Sequence, residues 1–436
     1  MANSSGSDAL PVEPESKGER RSQIGVPAPL TSISPGWVAA AAAFSGAALA
    51  IGSSNYAFSI FVEPLEKEFG WSRTQISASL SIWALGSLTA PLIGRVMDRY
   101  GARPVMSFSL ALMGLSFLLR PLMGALWHWY GLSVLQFVCF SGAALLPAGR
   151  LVGIWFPKTR GRVMGLTMMG NNFGGLVLPL IVSAVLATAS WQAGYLVLGI
   201  SCMALAVLSF LVVRERPKVP PVVAAGGSAS GVSESRQAAP LALAGWTVRE
   251  ALRVRSFYVI TLVVLLGNFV YTVVVAQVYA HFTAEDVSNA QASIALSVVA
   301  AAGMAGKFSF GYLTERIPAR FVMMLSFAGQ IVGLILMLNP AYPVLMWTGV
   351  PLFGLCMGAF GALGPLLVQE GFGLKSFGSI MGLVNLATVF PFALGPLLAG
   401  LSYDTTGSYQ IAFLVMAAMQ VAAILLLTQA KVKQAR

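Results

Sequence analysis

Twelve apolar segments dominate the sequence and constrain its fold more than any other feature. Each is about as long as the roughly 20 residues that a helix needs to cross the hydrocarbon core of a bilayer. With 57% hydrophobic and 10% charged residues among 436, the chain lacks the polar surface of a soluble domain. The sequence therefore predicts an all-α integral membrane protein with twelve transmembrane helices. The segments lie at about 37–62, 74–97, 104–126, 131–155, 163–188, 192–213, 256–281, 288–312, 321–338, 343–368, 377–402 and 409–429.

Basic residues are distributed unevenly around these segments. A net charge of +11 would suggest a nucleic-acid partner in a soluble protein, whereas here it follows the rule that basic loops face the cytoplasm. With both termini in the cytoplasm, 23 of the 27 Lys and Arg residues lie on that side, only Lys67, Arg73 and Arg120 lie outside, and Lys307 lies within an apolar segment. The asymmetry predicts a multi-pass protein of the cell membrane, and a bacterial inner membrane in particular, with both termini cytoplasmic.

The two halves of the sequence repeat each other at an offset of 217 residues. GRVMDRYGAR at 94–103 matches GYLTERIPAR at 311–320, and KTRGRVMGL at 158–166 matches KSFGSIMGL at 375–383. Two parallel six-helix repeats are a transporter architecture, with the substrate site expected near mid-membrane between them. The predicted parts are a disordered cytoplasmic tail (1–35), a six-helix bundle (36–213), a cytoplasmic linker (214–255), a second six-helix bundle (256–429) and a cytoplasmic tail (430–436).

The residues that usually build catalytic or metal sites are scarce. Three cysteines lie singly in apolar segments, and the two histidines, His128 and His281, are far apart in the sequence. The chain has no nucleotide-binding loop of the Walker type, so a gradient is the expected energy source. These features predict a monomeric transporter without cofactor or metal rather than an enzyme. Its expected partners are a small organic anion, protons and the lipid bilayer, with no nucleic acid.

The loop at 94–103 carries the most specific motif. It has Gly, three residues, Asp-Arg, one residue, Gly, one residue and Arg, and a degenerate copy follows the eighth segment. This loop resembles the signature of the major facilitator superfamily, which implies that fold for residues 36–430. The resemblance implies a conformational latch that joins the halves on the cytoplasmic side. A carboxylate suits the positive end of a neighbouring helix, and glycines allow close approach and a tight turn. The latch residues are Gly94, Asp98, Arg99, Gly101 and Arg103.

Two further stretches give a narrower resemblance. NYAFSIFVEPLEKEFGWSRTQIS at 55–77 and FGLCMGAFGALGPLL at 353–367 resemble the monocarboxylate transporter and oxalate–formate antiporter branch. This implies transport of a small organic monocarboxylate by alternating access, as a proton symporter. Tyr56 stands where the animal monocarboxylate transporters carry a proton-handling lysine. A proton-driven exporter of drugs or metabolites, an organic anion exchanger and a transporter-like sensor are the alternatives.

Lys307 is the only basic residue placed within a span and not counted on either side of the membrane, and no Asp or Glu lies at a span centre. A charge at the bilayer centre costs roughly 2.5–3.5 kcal/mol on insertion scales, so a partner is expected, and a substrate carboxylate would serve. The relatives carry an Arg in span eight four residues before a glycine, as Lys307 stands before Gly311. A single cation suits a monocarboxylate better than a dicarboxylate. Snorkelling of Lys307 to the nearby cytoplasmic surface is the alternative.

The remaining candidates are polar or aromatic residues in the spans expected to line the cavity. Amide side chains there could bind a carboxylate or could hold helices together. His281, at the outer end of span seven, is the candidate for proton coupling, with a solvated loop edge as the alternative. Besides Lys307, the predicted substrate-binding residues are Asn55, Tyr56, Asn172, Gln277, Phe360 (by resemblance) and Asn385.

Overall fold

The apolar segments form helices because a backbone inside a bilayer has to satisfy its N–H and C=O groups internally. The computed structural model describes residues 34–215, 244–338, 340–406 and 408–429. In those ranges eleven helices are long and apolar enough to cross a membrane, or twelve if the bent pair Leu126–Val138 and Phe140–Trp155 forms one span. The described secondary structure is helical apart from one isolated β-bridge. The predicted all-α membrane fold is confirmed.

Eleven α-helices make up the N-terminal half of the described chain. A π-helical turn, Gly52–Tyr56, continues the first of them, and two 3-10 turns, Ser79–Trp83 and Arg120–Leu122, extend others. The helices are α1 Pro35–Ile51, α2 Phe58–Phe69, α3 Arg73–Ala78, α4 Ala84–Tyr100, α5 Ala102–Leu119, α6 Leu126–Val138, α7 Phe140–Ala143, α8 Leu145–Trp155, α9 Arg160–Met168, α10 Gly170–Thr188 and α11 Trp191–Val212.

A short helix and seven long ones follow in the C-terminal half. They are α12 Val248–Ala251, α13 Arg255–Ala284, α14 Asn289–Leu313, α15 Ala319–Met337, α16 Pro343–Phe372, α17 Phe377–Leu386, α18 Val389–Thr406 and α19 Gln410–Gln429.

Two spans are broken at equivalent positions in the two halves. Span five divides at Met169 between α9 and α10, and span eleven divides at Ala387 and Thr388 between α17 and α18. Met169 and Ala387 are 218 residues apart, one more than the offset of the sequence repeat. Each span still crosses as one helix by length and hydropathy, Arg160–Thr188 and Phe377–Gly395. Interruptions in corresponding positions of two repeats are a feature that transporters use near mid-membrane.

The halves pack together mainly at one end of the bundle. We call it the linker end because Glu215 and Ala244, near the two ends of the predicted linker, lie there. The contacts join α4 to α17 and α9 to α14 and α16, while the segments beyond the helix breaks, α10 and α18, contact the opposite half less. Glycines permit this approach: a Cβ atom on Gly94 would lie 1.9 Å from the Gly378 carbonyl oxygen, and one on Gly161 would lie 2.1 Å from that of Gly311. We call these backbone contacts the glycine seam.

The end of the linker is attached to the loop between α16 and α17. The Trp246 N–H donates to the Phe372 carbonyl, and the Leu374 N–H donates to the Ala244 carbonyl, each at 2.9 Å. A capping box between Thr247 and Glu250 then starts α12. The backbone N–H of Thr247 donates to the Glu250 carboxylate and holds its pKa below the ordinary value. The end of the linker is therefore held against the C-terminal half before the chain enters α13.

The predicted division into two bundles with flanking tails stays a prediction. Residues from Pro35 onward form one compact unit, in which the two predicted bundles are in contact. Residues 1–33 of the predicted N-terminal tail, 216–243 of the predicted linker and the whole tail at 430–436 lie outside the described residues.

Candidate functional site

The side chains of Lys307 and Asn172 meet between the two halves. Lys307, on α14, is only 7% exposed, and its ammonium donates to the Oδ1 atom of Asn172, at the start of α10. The Nδ2 atom of Asn172 donates in turn to the Ala300 carbonyl at 3.0 Å, which orients the amide oxygen towards the ammonium. Two residues from opposite halves, both predicted as substrate ligands, thus form one polar pair.

The surroundings of this pair are apolar and formed by small residues. A Cβ atom on Gly361 would lie 3.7 Å from Cε of Lys307, and one on Gly303 would lie 3.8 Å from Nδ2 of Asn172. Among the described residues, Lys307 has no carboxylate partner. The ammonium points to Asn172 rather than to the surface at the linker end, so the snorkelling alternative does not describe this arrangement. A buried cation that has only a neutral amide as partner can still attract an anion strongly.

Tyr56 lies at the interface of the halves, at the end of the π-helical turn in span one. Its ring packs over Gly175 of α10, where an added Cβ atom would be 2.7 Å away. Its side chain is 41% exposed and is close enough to Tyr271 of α13 for the two to interact electrostatically. The neighbouring Asn55 is half-buried in the same turn. A π-helical turn often marks a functional site because the extra residue redirects side chains.

Three other predicted ligands lie in the C-terminal half without a hydrogen bond to the Lys307–Asn172 pair. The Phe360 ring packs against Gly267 of α13 and lies 6.2 Å from the Phe327 ring. Asn385 is buried near the end of α17, and Gln277 is half-buried in α13. Within the described residues no hydrogen bond is recorded for either side-chain amide. Their role in binding stays a prediction.

His281 is enclosed within the C-terminal half. Its side chain is 0% exposed, its Nε2 atom lies 3.1 Å from the Met337 carbonyl, and its ring lies 4.8 Å from that of Phe413. The alternative of a solvated loop edge is therefore wrong, because α15 and α19 cover the ring. Sequence position alone could not show this, since His281 lies in the last turns of α13 but is covered by helices that come later in the chain. Its part in proton coupling stays a prediction.

Asp98 forms the centre of a charged cluster at the linker end. Its carboxylate accepts hydrogen bonds from the backbone N–H groups of Gly378 at 2.9 Å and Ser379 at 2.7 Å, which belong to the first turn of α17. Arg150 of α8 donates to the same carboxylate at 3.0 Å and to Glu215 at 2.6 Å. A carboxylate at a helix N-terminus is favourable because it binds free N–H groups and the positive end of the helix dipole. The latch role of Asp98 stays a prediction, and Arg150 was not among the residues predicted from the sequence.

The other predicted latch residues surround this cluster. Gly94 is in the glycine seam, and Gly101 has a φ of 98° with the Glu215 carboxylate against it, so a side chain at 101 would be both strained and blocked. Arg103 lies with its guanidinium 4.5 Å from the centre of the Phe210 ring, and Arg99 is exposed and packs on Tyr100. Neither arginine joins the two halves in this arrangement.

Arg120 is the main functional candidate that the sequence did not indicate. The sequence assigns it only to the outer side of the membrane, whereas the structure places it in a 3-10 turn after α5 with only 3% of its surface exposed. Its guanidinium donates to Tyr195 at 3.0 Å and to Gln136 at 2.6 Å, and it lies 4.2 Å from the centre of the Trp129 ring. Lys307 is thus not the only buried cation. No local signal marks Arg120, because its partners come from α6 and α11.

Comparisons with known proteins agree with this architecture. The sequence profile of the Major Facilitator Superfamily matches residues 42–284 and 257–435. The chain is 26% identical to monocarboxylate transporter 12 of Rattus norvegicus over 317 residues, which are 68% of this chain and 63% of that protein. The chain thus spans less than two thirds of that relative's length. It is 27% identical to monocarboxylate transporter 11 of Homo sapiens over 423 residues, 89% of this chain and 83% of that one.

Solved structures give the same fold. The proton:xylose symporter XylE superposes with a TM-score of 0.71 at 13% identity, over 92% of this chain and 96% of that chain. The transporter FucP in the outward conformation superposes with a TM-score of 0.65 at 14% identity, over 91% of this chain and 99% of that chain.

Proposed function

Because the chain belongs to the major facilitator superfamily of membrane transporters, we propose that it is a secondary active transporter of a small organic monocarboxylate. It works by alternating access and moves a proton together with the substrate. The observation that carries this proposal is the buried ammonium of Lys307, which meets Asn172 between the two halves without a carboxylate partner among the described residues. The resemblance to monocarboxylate transporters supports the same substrate class.

In this proposal the substrate carboxylate replaces or joins the Asn172 amide as the partner of Lys307. An ion pair in a low-dielectric cavity is stronger than one in water, and the carboxylate also removes the cost of an unpaired buried charge. Because Lys307 belongs to the C-terminal half and Asn172 to the N-terminal half, a bound carboxylate contacts both. Substrate binding can thus favour one arrangement of the halves through its different contacts in each.

The latch residues provide the proposed switch between access states. The glycine seam and the Asp98 contacts close the linker end, so the substrate reaches Lys307 from the opposite end in this state. Separation of α4 from α17 and of α9 from α14 then opens the linker end. The cycle therefore exchanges a closed glycine seam for closer contacts of the outer segments with the opposite half, α10 with α14 and α18 with α4.

Proton coupling is proposed to run through substrate binding itself. Within the described spans no carboxylate lies beside Lys307 to act as a separate proton carrier. The substrate carboxyl group or Lys307 is then the group that exchanges the proton. His281 stays a candidate that acts through the packing of the C-terminal half, since its ring is covered there.

Uptake by reconstituted protein tests the function and the coupling separately. We expect purified protein in liposomes to take up a labelled aliphatic or aromatic monocarboxylate, and an imposed proton gradient of the same direction to accelerate uptake. Uptake that is indifferent to the gradient would indicate an organic anion exchanger or a uniporter. If no carboxylate in the panel is transported but a neutral or cationic drug is, the proposal of a carboxylate substrate is wrong and the exporter alternative is supported.

We also propose that both termini and the 214–255 linker lie in the cytoplasm, on the inner side of a bacterial cell membrane. The basis is the asymmetry of basic residues. In a background without cysteines, a cysteine at Ser228 should be protected from an impermeant thiol reagent in intact cells, whereas one at Ser408 should react. Equal labelling of the two sites would contradict this topology.

Replacement of Asp98 by asparagine tests the proposed latch. Asp98→Asn keeps the size of the side chain but removes the charge that faces the first turn of α17 and Arg150. A charge at a partly buried helix N-terminus contributes up to about 2 kcal/mol, so transport should fall several-fold or more at equal folded protein level. Glu63→Gln, the same carboxyl-to-amide change at an exposed residue paired with Lys67 in its own helix, is the matched control and should transport nearly as wild type. Wild-type transport by Asp98→Asn would rule out the latch role.

A further inference from the structure

A small cavity lies beside Arg120 inside the N-terminal half, apart from the Lys307–Asn172 pair. Its volume is about 10 Å³, which is room for one particle of the size of a water molecule. Side chains from the π-helical turn of span one and from α5, α6 and α11 line it, among them Ser54, Arg120, Gln136 and Tyr195. This cavity is too small for a carboxylic acid, so it is not a second substrate site.

The charge of Arg120 is not balanced by any described carboxylate. Arg120 is only 3% exposed, and its guanidinium donates to the hydroxyls of Tyr195 and Ser133 and to the amide oxygen of Gln136. The rings of Trp129, Tyr195 and Phe117 lie within 4.2 to 5.4 Å and attract the cation, but they do not neutralise it. Removal of a lone charge from water is costly, and a counter-ion reduces the cost.

Three hydrogen-bond donors that line the cavity have no described acceptor. Nε of Arg120 has no described partner. The Ser54 hydroxyl accepts from Gln136 and the Tyr195 hydroxyl accepts from Arg120, so each keeps its own hydrogen to donate. The one strong side-chain acceptor nearby, Oε1 of Gln136, is already bonded to Arg120 at 2.6 Å. Three unused donors beside a net positive charge are the chemistry of an anion site.

We propose that this cavity binds a single monatomic anion, for which chloride is the abundant physiological choice. Its ligands are the guanidinium of Arg120 and the hydroxyls of Ser54 and Tyr195. Its ligand Ser54 precedes Asn55 by one residue and Tyr56 by two in the same π-helical turn. A bound anion therefore fixes the turn that presents those two residues towards the space between the halves, and it does so without contact with the transported substrate.

Thermal unfolding in matched salts tests the proposal. Purified protein should unfold at a higher temperature in sodium chloride than in sodium gluconate of equal ionic strength, and the shift should saturate with chloride concentration, because a ligand of the folded state stabilises it. Ser54→Ala and Tyr195→Phe each remove one hydroxyl that donates to the anion, and each should weaken the chloride affinity about tenfold. Tyr130→Phe, which removes a surface hydroxyl bonded to the Gln75 carbonyl, should leave the affinity unchanged.

Two further variants separate this site from others. Lys307→Ala should keep the full chloride shift, since Lys307 does not line the cavity. Arg120→Gln should lose the chloride-dependent rise in unfolding temperature if it folds. If it does not fold, Ser54→Ala and Tyr195→Phe still test the site. Crystals grown in bromide should show an anomalous peak beside Arg120. Equal unfolding temperatures of the wild type in chloride and gluconate, or a bromide-soaked site that holds only water, would overturn the proposal.

Discussion

Lys307→Ala should abolish measurable carboxylate binding while the protein still inserts and folds. Loss of one partner of a buried charge pair costs about 2–5 kcal/mol, which is roughly a 30-fold or greater rise in Kd for the substrate. The fold should survive because Lys307 has only the neutral Asn172 as its described partner, and removal of a lone buried charge need not destabilise packing. Substrate binding measured by calorimetry on purified protein, together with folded yield, gives both quantities.

Two companion variants test whether the loss of binding is specific to the charge of Lys307. Lys307→Arg keeps the charge and should retain measurable transport, although its planar donor group has a different geometry from the ammonium point charge. Lys67→Ala removes an exposed lysine that is paired with Glu63 and should leave substrate affinity unchanged. Wild-type affinity in Lys307→Ala would show that the site assignment is wrong, and the case for an anionic substrate would then rest on family resemblance alone.

Gly94→Ala should prevent full closure of the linker end and reduce transport by about tenfold or more. The added Cβ atom would lie 1.9 Å from the Gly378 oxygen and 2.3 Å from its carbonyl carbon, which are backbone atoms that cannot rotate away. Overpacking of this kind costs about 1–3 kcal/mol, or roughly 5- to 150-fold in an equilibrium, and the cost applies only while the seam is closed. Transport per folded molecule in liposomes measures the effect.

A matched glycine provides the control. Gly131 lies in α6 with no atom within 4 Å of an added Cβ, so Gly131→Ala should behave as wild type. Gly378→Ala should reproduce the defect from the other half, since its Cβ atom would lie 2.5 Å from the Gly94 oxygen. Unchanged transport in both seam variants would mean that closure at this contact is not part of the cycle.

Much of the fold could be predicted because a membrane-crossing helix is indicated by one continuous apolar segment of the sequence. Length and hydropathy alone identify the spans, and the repeat of GRVMDRYGAR locates equivalent positions in each half. The contact of Asp98 with a helix N-terminus also followed from residue type and motif. The breaks at Met169 and at Ala387 were not predicted, because the residues that follow them, such as Gly170 and Pro391, are also tolerated inside continuous membrane helices.

The candidate site was predictable only in part, because burial of a polar residue depends on which helices cover it. Lys307 stood out since it interrupts an apolar segment, but its pairing with Asn172 needs the packing of the two halves. Arg120 comes at the end of an apolar segment, where a basic residue ordinarily marks a loop. The rings and hydroxyls that enclose it belong to α6 and α11, far along the chain. The solvated position weighed for His281 was wrong for the same reason, because helices later in the chain cover its ring.

The glycine seam also has a consequence for how sequences of this kind can diverge. Its contacts are made by main-chain atoms at Gly94, Gly161, Gly311 and Gly378, so they carry no side-chain chemistry that a compensating substitution could restore. The ion pair between Arg162 and Glu315 at its rim is different, because charge reversal of both partners would preserve it. Related chains should therefore exchange the rim charges freely in pairs, while the four seam positions admit almost no replacement, singly or together.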